Sequence, residues 1–325
     1  MPVDARLSAA LARRAPLAAD TATNAYRLIH RAADGFPDLA VDRYADVLVA
    51  HLYSAGRRVS PPTPLLKALA EQVGAQSVYL KYRPEQANAL SPAQLAALAP
   101  PEPLIGRRLD EVEVLEHGTR FIIRPGEGLS TGLFLDMRDA RGWVRAHASG
   151  QTVLNCFAYT CAFGLAAWLG GATRAVNVDV SRRYLDWGHA NAAANGLAPA
   201  ATDLIFGDVF DWLKRFQRAG TTFNGVILDP PSYATTKKSR WALERDYGEL
   251  VALAVPLVAP GGWLLACANT HSLPARSFVA QLRAGLEAAG ASGARLGPVE
   301  HEPALDFPVA AGEKPYLKLC RVQLP

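Results

Sequence analysis

The sequence has few cysteines, no long apolar run and no strong excess of one charge, and each shortage excludes a class of protein. Its four cysteines, among 325 residues, form no CxxC pair and have no spacing typical of a zinc site. We therefore expect reduced thiols in the cytoplasm, without a disulfide framework or a metal centre. No apolar run approaches the roughly 20 residues that a membrane-spanning helix needs. The net charge of +4 permits contact with a polyanion but does not indicate one.

The length and composition indicate a globular chain of about two domains. Half of the residues are apolar, which is enough to bury at least one large core. The segment 1–22 is rich in alanine and arginine, but it contains Asp4 and Asp20 and no apolar stretch. We interpret it as a short leader helix and not as a secretory signal.

The region 23–120 is predicted to be a small α+β domain. Its first part contains short β segments at 26–30, 39–44 and 47–52, followed by a segment with the apolar spacing of a helix at 64–73. Two further β segments flank Gly118 and predict a hairpin. We place the domain boundary near 118–126, so that the second domain comprises 121–325.

From Gly150 onward, β and α patterns alternate, which predicts a mostly parallel sheet with helices on both faces. The predicted strands lie at 152–155, 175–178, 203–206, 225–228 and 263–266. Ligands of such sheets bind beyond the carboxyl ends of the strands. Polar residues follow four of these strands, at Asn155 to Thr160, Asp179, Asp208 and Asp229.

The acid after the second strand, Asp179, can accept hydrogen bonds from both hydroxyls of a ribose, as it would in a nicotinamide-dependent oxidoreductase. The loop 155–162 contains no GxGxxG, however, and a pyrophosphate is poorly bound without that glycine-rich turn. S-adenosylmethionine, which has a ribose and an adenine but no phosphate, fits better, with Asp208 placed to accept from the adenine amine. Either acid alone is equally well explained as a helix cap.

The segment Asp229-Pro230-Pro231-Ser232-Tyr233 follows the fourth predicted strand. Prolines fix φ and cannot donate a backbone hydrogen bond, so such a turn directs carbonyls and one acidic side chain into a cleft. The aromatic ring offers a face on which a flat base can stack. Alone, this segment is also compatible with an ordinary turn, but beside a nucleoside cofactor it predicts a site for a target base.

These segments resemble the class I S-adenosylmethionine-dependent methyltransferases, and within them the large-subunit ribosomal-RNA methyltransferase I and K/L group. The matching segments are 26–44, 132–138, 153–160, 229–233 and 314–318. The resemblance implies a Rossmann-like methyltransferase domain and a 23S ribosomal RNA, or its precursor, as substrate. Implied cofactor-binding residues are Asp136, Asn155, Phe157, Tyr159, Thr160, Asp179, Ser181, Asp208, Val209 and Asp229. Implied residues at the target base are Asp229, Pro230, Tyr233 and Asn269.

Two departures from this family limit what the resemblance implies. Many relatives begin with an RNA-binding PUA domain, which the roughly 20 residues before the shared region cannot form. We therefore expect RNA binding by the small N-terminal domain and by Lys237, Lys238 and Arg240, although such a charge run is often only a solvated surface. Where relatives generally have glycine, this chain has Cys161, and we expect the thiol to narrow the cofactor loop.

The target atom depends on the residues after the fifth predicted strand. Methylation of cytosine at C5 needs a thiolate that adds to C6, and relatives with that activity have a cysteine where this chain has Asn269. Cys267 lies two residues earlier, roughly 6 to 7 Å away along an extended chain, and is better explained as a buried core residue. We therefore favour N-methylation of guanine over cytosine C5 methylation, and we interpret His271 as a surface residue.

Functions of other classes stay open at this point. An oxidoreductase would share the sheet and Asp179 but lacks its glycine fingerprint here. A catalytically silent RNA-binding or ribosome assembly factor could use the same fold, although the acids at positions 136, 179, 208 and 229 are all present. Methylation of a protein or a small molecule is a further alternative.

Overall fold

The computed structural model describes residues 3–53, 60–83, 91–235, 240–300 and 304–325. Their contacts divide the chain into two compact units, of which unit 1 comprises 1–138 with 303–313, and unit 2 comprises 139–302 with 314–325. None of the described helices is long and apolar enough to cross a bilayer.

The division falls after Arg138, whereas the sequence analysis placed the boundary near 118–126. The hairpin stays with unit 1 because its strands join the N-terminal segment, as when Asn24 N donates to Leu115 O (2.9 Å) and Asn24 Oδ1 accepts from Leu115 N (2.7 Å). The segment 303–313 returns to unit 1 because Asp306, which is fully buried, accepts hydrogen bonds there from Arg27 N and the Arg138 guanidinium.

Unit 1 is built on a four-stranded sheet in the order β1-β2-β3-β4, in which only β3 and β4 are parallel. Its strands are β1 (Ala25–His30), β2 (Leu39–Tyr44), β3 (Val47–Tyr53) and β4 (Ser77–Arg83), followed by the separate hairpin β5 (Val112–Glu116) and β6 (Thr119–Ile123). Its helices are α1 (Val3–Arg13), α2 (Ala15–Ala19), α3 (Thr63–Val73) and α4 (Pro92–Leu98). The predicted β segments, the hairpin and the helix at 64–73 are confirmed, and β4 was not predicted.

One face of this sheet is apolar and packs against helices. Leu28, Val41, Ala50 and Leu80 of the sheet join Leu66 and Leu69 of α3 in one core, and α1 adds Leu7. The leader helix therefore forms as expected, and it is part of the packing of unit 1. The opposite face of the sheet carries charged side chains.

Unit 2 is a three-layer α/β structure with a seven-stranded sheet in the order β14-β15-β13-β10-β7-β8-β9. Its strands are β7 (Thr152–Cys156), β8 (Arg174–Asp179), β9 (Leu204–Phe206), β10 (Phe223–Leu228), β13 (Val258–Asn269), β14 (Arg295–Glu300) and β15 (Leu317–Gln323), and β11 (Tyr233–Thr235) with β12 (Arg240–Ala242) forms a separate ribbon. Its helices are α5 (Arg138–His147), α6 (Ala162–Leu169), α7 (Arg182–Ala194), α8 (Val209–Arg218), α9 (Leu243–Ala254) and α10 (Ala275–Ala288).

The strand order creates a topological switch point beside β7. Within this sheet, β7 comes first in the sequence, and β8 and β9 follow on one side of it. The chain then crosses to β10 and β13 on the other side, and all five strands are parallel. In open α/β sheets, the ligand crevice lies at the carboxyl ends of strands at such a point. The last strand, β15, departs from the dinucleotide-binding order because it is inserted antiparallel between β13 and β14.

The predicted mostly parallel sheet with flanking helices is confirmed, with shifted boundaries. Helix α9 ends at Ala254 because Pro256 cannot donate to the helical ladder, and a 3-10 turn follows. Strand β13 continues to Asn269, three residues beyond its predicted end.

Candidate functional site

The loop after β7 has an unusual backbone in which three non-glycine residues adopt positive φ. These are Phe157 (φ 60°), Tyr159 (φ 49°) and Cys161 (φ 60°), and such conformations cost of order 1–3 kcal/mol each. Two hydrogen bonds from the loop to the end of β8 hold the loop in this shape: Ala158 N donates to Val178 O (3.0 Å), and Tyr159 N donates to Asp179 Oδ2 (2.8 Å). The loop is therefore a fixed backbone surface at the switch point.

Asp179 closes β8 and organises this loop with its carboxylate. Its Oδ2 accepts from Tyr159 N, its Oδ1 accepts from Ser181 N (2.9 Å), and Ser181 in turn caps α7 by accepting from Tyr184 N (3.4 Å). Burial raises the pKa of Asp179, and backbone donors from Tyr159, Ser181 and Val180 partly oppose the rise. A carboxylate has about four acceptor positions, so Asp179 retains some capacity to accept from a hydroxyl donor of a ligand.

Several loop residues point into the protein. Asn155, which is 1% exposed, donates from Nδ2 to Asn177 Oδ1 (2.9 Å), and Thr160 is fully buried, with its carbonyl accepting from Asn191 Nδ2 (3.0 Å). The Asn155 amide therefore joins β7 to β8, and neither the Asn155 nor the Thr160 side chain is exposed.

Cys161, which we expected to narrow the cofactor loop, lies beside helix α7. Its side chain is fully buried against α7, where a Cβ added at Gly188 would lie 2.5 Å from the sulfur. Burial and, to a smaller degree, Asp179 raise the pKa of this thiol. The thiol occupies space that Gly188 leaves beside it in α7, so the side chain is directed toward that helix.

Asp208 stands between β9 and α8, where it is half-buried and caps the helix by accepting from Asp211 N (3.2 Å). Val209 is 2% exposed and belongs to the core, so its side chain is not available to a ligand. Two apolar side chains beside the acids are exposed instead: Val180 at 61% and Phe206 at 48%. Neither residue was predicted as part of the site, although each stands within two residues of a predicted acid.

Asp136 lies in unit 1, in the 3-10 turn Leu135–Met137, and is half-buried. The turn is followed by Arg138, whose guanidinium donates to both carboxylate oxygens of Asp306 (3.0 and 2.8 Å). The two neighbours of Asp136 in the turn, Leu135 and Met137, are buried, which fixes the backbone at this position.

The turn from Asp229 to Tyr233 is attached to the protein through its backbone. Asp229 is half-buried and Pro230 buried, while Tyr233 is 52% exposed and donates from its hydroxyl to Glu244 Oε1 (3.3 Å). Trp241 Nε1 donates to Pro231 O (3.0 Å). The turn therefore presents an acid and an exposed ring from a firmly held backbone.

The end of β13 is fixed to this turn on one side and to β15 on the other. Ser232 Oγ donates to Asn269 O (3.1 Å), and Lys318, which is 2% exposed, donates from Nζ to Thr270 O and to Tyr316 O (2.6 Å). Burial lowers the pKa of Lys318 to about 8. The sequence analysis assigned no role to Ser232 or Lys318, and the lysine within the apolar alternation of β15 was the available signal.

Cys267 lies on the same strand as Asn269 but deeper in the sheet. It is fully buried, and its carbonyl accepts from the Tyr247 hydroxyl (2.9 Å), which also approaches Leu228 O (3.5 Å). His271 is exposed, with its ring 5.5 Å from that of Tyr316. The packing of Cys267 agrees with its interpretation as a core residue.

The basic residues proposed for RNA binding lie wholly or partly outside the described residues. Lys237 and Lys238 lie outside the described residues, and the side chain of Arg240 does as well; the backbone of Arg240 pairs with Thr235 in the β11–β12 ribbon. Within the ranges that the structure describes, no group of three or more histidine, cysteine, aspartate or glutamate side chains is arranged to hold a metal ion.

Known proteins share this sequence and architecture. Residues 27–296 match a family model described as S-adenosylmethionine-dependent methyltransferase. The chain is 35% identical over 277 residues to the ribosomal RNA large subunit methyltransferase I of Shewanella amazonensis, covering 84% of this chain and 68% of that protein. It is 34% identical over 329 residues to the ribosomal RNA large subunit methyltransferase of Deinococcus radiodurans, covering 98% and 78%. The crystal structure of SMU.776 complexed with SAH superposes with a TM-score of 0.86 at 28% identity, covering 98% of this chain and 80% of that one.

Proposed function

We propose that this protein, which belongs to the S-adenosylmethionine-dependent methyltransferase family, methylates a base of large-subunit ribosomal RNA, and that the methylated atom is a guanine nitrogen. The observation that carries the proposal is the attachment of the Asp229-to-Tyr233 turn to Asn269 through Ser232, at the switch point that also holds Asp179. The names of the two relatives above support the choice of RNA.

S-adenosylmethionine is the cofactor of this family, and the residues at the switch point fit it. We assign its ribose hydroxyls to the open acceptor positions of Asp179 and its adenine to Asp208, with Val180 and Phe206 as exposed apolar neighbours. The polar backbone of the loop after β7 is assigned to the methionine part, and Asp136 remains a further prediction for that part. When bound, the cofactor supplies an electrophilic methyl group on a sulfonium.

Asp229 and Asn269 have complementary hydrogen-bonding groups for guanine. A carboxylate accepts from ring and exocyclic N–H groups, whereas an amide both donates and accepts, and the guanine edges offer both kinds of partner. The exposed ring of Tyr233 provides a stacking face. A guanine nitrogen already carries a lone pair, so a rigid base site supplies most of the rate through positioning.

Methylation at C5 of cytosine would require a thiolate beside the base. The candidate thiol on this strand, Cys267, is fully buried in the sheet. The burial of Cys267 thus supports the choice of nitrogen over carbon.

The test is mass spectrometry of ribosomal-RNA nucleosides after incubation of the purified protein with S-adenosylmethionine and rRNA from cells that lack this gene. We expect a methylguanosine, and we expect Asn269→Ala to lower kcat/KM by about 100-fold while S-adenosylmethionine binding, measured by calorimetry, stays within a few-fold. Formation of 5-methylcytidine would contradict the target atom, and no detectable binding of S-adenosylmethionine would contradict the enzyme assignment.

A further inference from the structure

The charged face of the unit 1 sheet contains a chain of four side chains, one from each strand. Arg27 of β1 donates to both carboxylate oxygens of Asp42 in β2 (2.6 and 3.0 Å), and His51 Nε2 of β3 lies 3.0 Å from Asp42 Oδ2. Arg83 of β4 donates from Nε to His51 Nδ1 (3.1 Å). Asp42 and His51 therefore connect Arg27 to Arg83, and Asp42 is the only carboxylate among these four side chains.

The histidine in this chain is neutral, and its tautomer follows from its partners. Because Nδ1 accepts from a guanidinium, the ring proton resides on Nε2 and is donated to Asp42. Burial, together with the nearby Arg83, lowers the pKa of His51 to about 3. Arg27 thus pairs directly with Asp42, whereas Arg83 forms no direct ion pair with a carboxylate in the described part of the chain.

A second unbalanced guanidinium lies beside the first. Tyr53 is the register partner of Arg83 in the β3–β4 pair, and the guanidinium of Arg31 stands over the Tyr53 ring, 4.4 Å from its centroid. Arg31 is exposed, and its Nε donates to Pro37 O (3.1 Å). We call these three residues the Arg31–Tyr53–Arg83 cluster.

Several other arginines on the surface of unit 1 have acidic partners, unlike the two in this cluster. Arg108 pairs with Glu102 and Asp110, and Arg120 pairs with Glu113. Asp38, whose backbone carbonyl accepts from Tyr53 N (2.8 Å), forms no ion pair with Arg31 or Arg83 among the described contacts. Among the described residues, the cluster therefore holds two oriented guanidinium groups that form no ion pair with a carboxylate, of which Arg31 is exposed and Arg83 is partly buried.

We propose that the Arg31–Tyr53–Arg83 cluster binds phosphodiester groups of the RNA substrate, and that His51 is a positioning residue that orients Arg83. Guanidinium is the cation best matched to phosphate oxygens, because its planar fork donates two parallel hydrogen bonds. Stacking on Tyr53 and donation to His51 already restrict the two side chains, so less entropy is lost when phosphate binds. This inference rests on the proposed RNA substrate.

The test uses the full chain and a fluorescently labelled fragment of large-subunit rRNA, with binding measured over a series of KCl concentrations. Each phosphate contact that is lost lowers the slope of log K against log salt by about 1. We expect Arg31→Ala and Arg83→Met each to do so and to weaken binding about tenfold. The matched control is Arg108→Ala, which removes an exposed arginine that already has two acidic partners, and which we expect to leave the slope unchanged.

Arg31→Ala keeps the test decisive if Arg83→Met fails to fold, because Arg31 is exposed and its loss opens no cavity. Slopes equal to the wild-type slope in every folded variant would overturn the cluster as a phosphate site while leaving the proposed substrate in place. If wild-type protein binds S-adenosylmethionine but no rRNA fragment, the proposed substrate fails, and this inference fails with it.

Discussion

The sheets of the two units bury polar groups in different ways. In unit 2, the central strands are mostly apolar, with Leu154, Val226 and Leu264 fully buried. Their buried Asn155–Asn177 pair is uncharged, and the acids stand at the carboxyl ends. In unit 1, one face of the sheet buries Asp42, His51 and Lys81 within the strands themselves. A buried charge is stable only when it is paired and hydrogen-bonded, so the unit 1 sheet depends on a complete set of partners.

Because of this difference, we expect the two units to tolerate substitutions of buried residues to different degrees. The apolar strands of unit 2 hold their polar groups at an edge where a ligand is expected, and the loss of one core atom there costs only packing. In unit 1, the loss of one partner leaves another charge without compensation, which is more expensive. Three measurements of stability test this difference between the units.

The largest loss of stability is expected from Asp42→Ala, which removes the carboxylate that both Arg27 and His51 contact. We expect the free energy of unfolding to fall by about 3–5 kcal/mol, because a largely buried guanidinium loses its carboxylate. Urea unfolding measures the loss, and hydrogen exchange should locate it in β1, β2 and β3.

The matched control is Glu113→Ala, which breaks the Arg120–Glu113 pair on the surface of the same unit. Both side chains of that pair are about half exposed (52% and 51%), so the expected cost is at most about 1 kcal/mol. Equal losses for the two variants would contradict the claim that unit 1 depends on its buried pairing.

A smaller change in the free energy of unfolding is expected when the pH is lowered. The pKa of His51 is lowered to about 3 in the folded protein, chiefly by burial, whereas an unfolded histidine titrates near about 6.5. Below that value the unfolded chain binds a proton that the folded chain does not, so stability falls as the pH decreases. We expect a loss of about 2 kcal/mol between pH 7 and pH 5 from this ring alone. His30, whose pKa burial lowers to about 4, acts in the same direction.

His51→Gln separates titration from structure, because a glutamine amide also donates to Asp42 and accepts from Arg83 but carries no proton equilibrium. Urea unfolding at a series of pH values should show a flatter profile for this variant. A profile identical to wild type would mean that the acid sensitivity arises elsewhere.

The mostly parallel sheet and the acids at its strand ends were predictable from the sequence, because the alternation of apolar strands and helices and the acids after the strands are local patterns. The Asn155–Asn177 amide pair was not, since it joins residues 22 positions apart on neighbouring strands. The orientation of Cys161 was missed for the same reason: it depends on the space that Gly188 leaves in α7.

In unit 1, the four-strand chain of Arg27, Asp42, His51 and Arg83 was equally hidden. Its members come from strands whose pairing and register no single segment specifies, and β4 itself was not predicted. A charged residue in a β segment is interpreted from the sequence as solvent-facing, yet here Asp42 and His51 are buried and Asp42 pairs with Arg27.

The smallest effect is expected from Cys267→Ala, which tests the tolerance of the unit 2 sheet. The contact that this residue makes with the Tyr247 hydroxyl uses its backbone carbonyl, so the substitution removes only a buried sulfur and should cost about 1 kcal/mol. Cys320→Ala, at a fully buried thiol in the adjacent strand β15, is the matched control and should cost a similar amount. Methyl transfer to rRNA should persist in both variants. Loss of transfer in Cys267→Ala alone, with folding intact, would place that thiol in the chemistry and shift the target from a guanine nitrogen to a cytosine carbon.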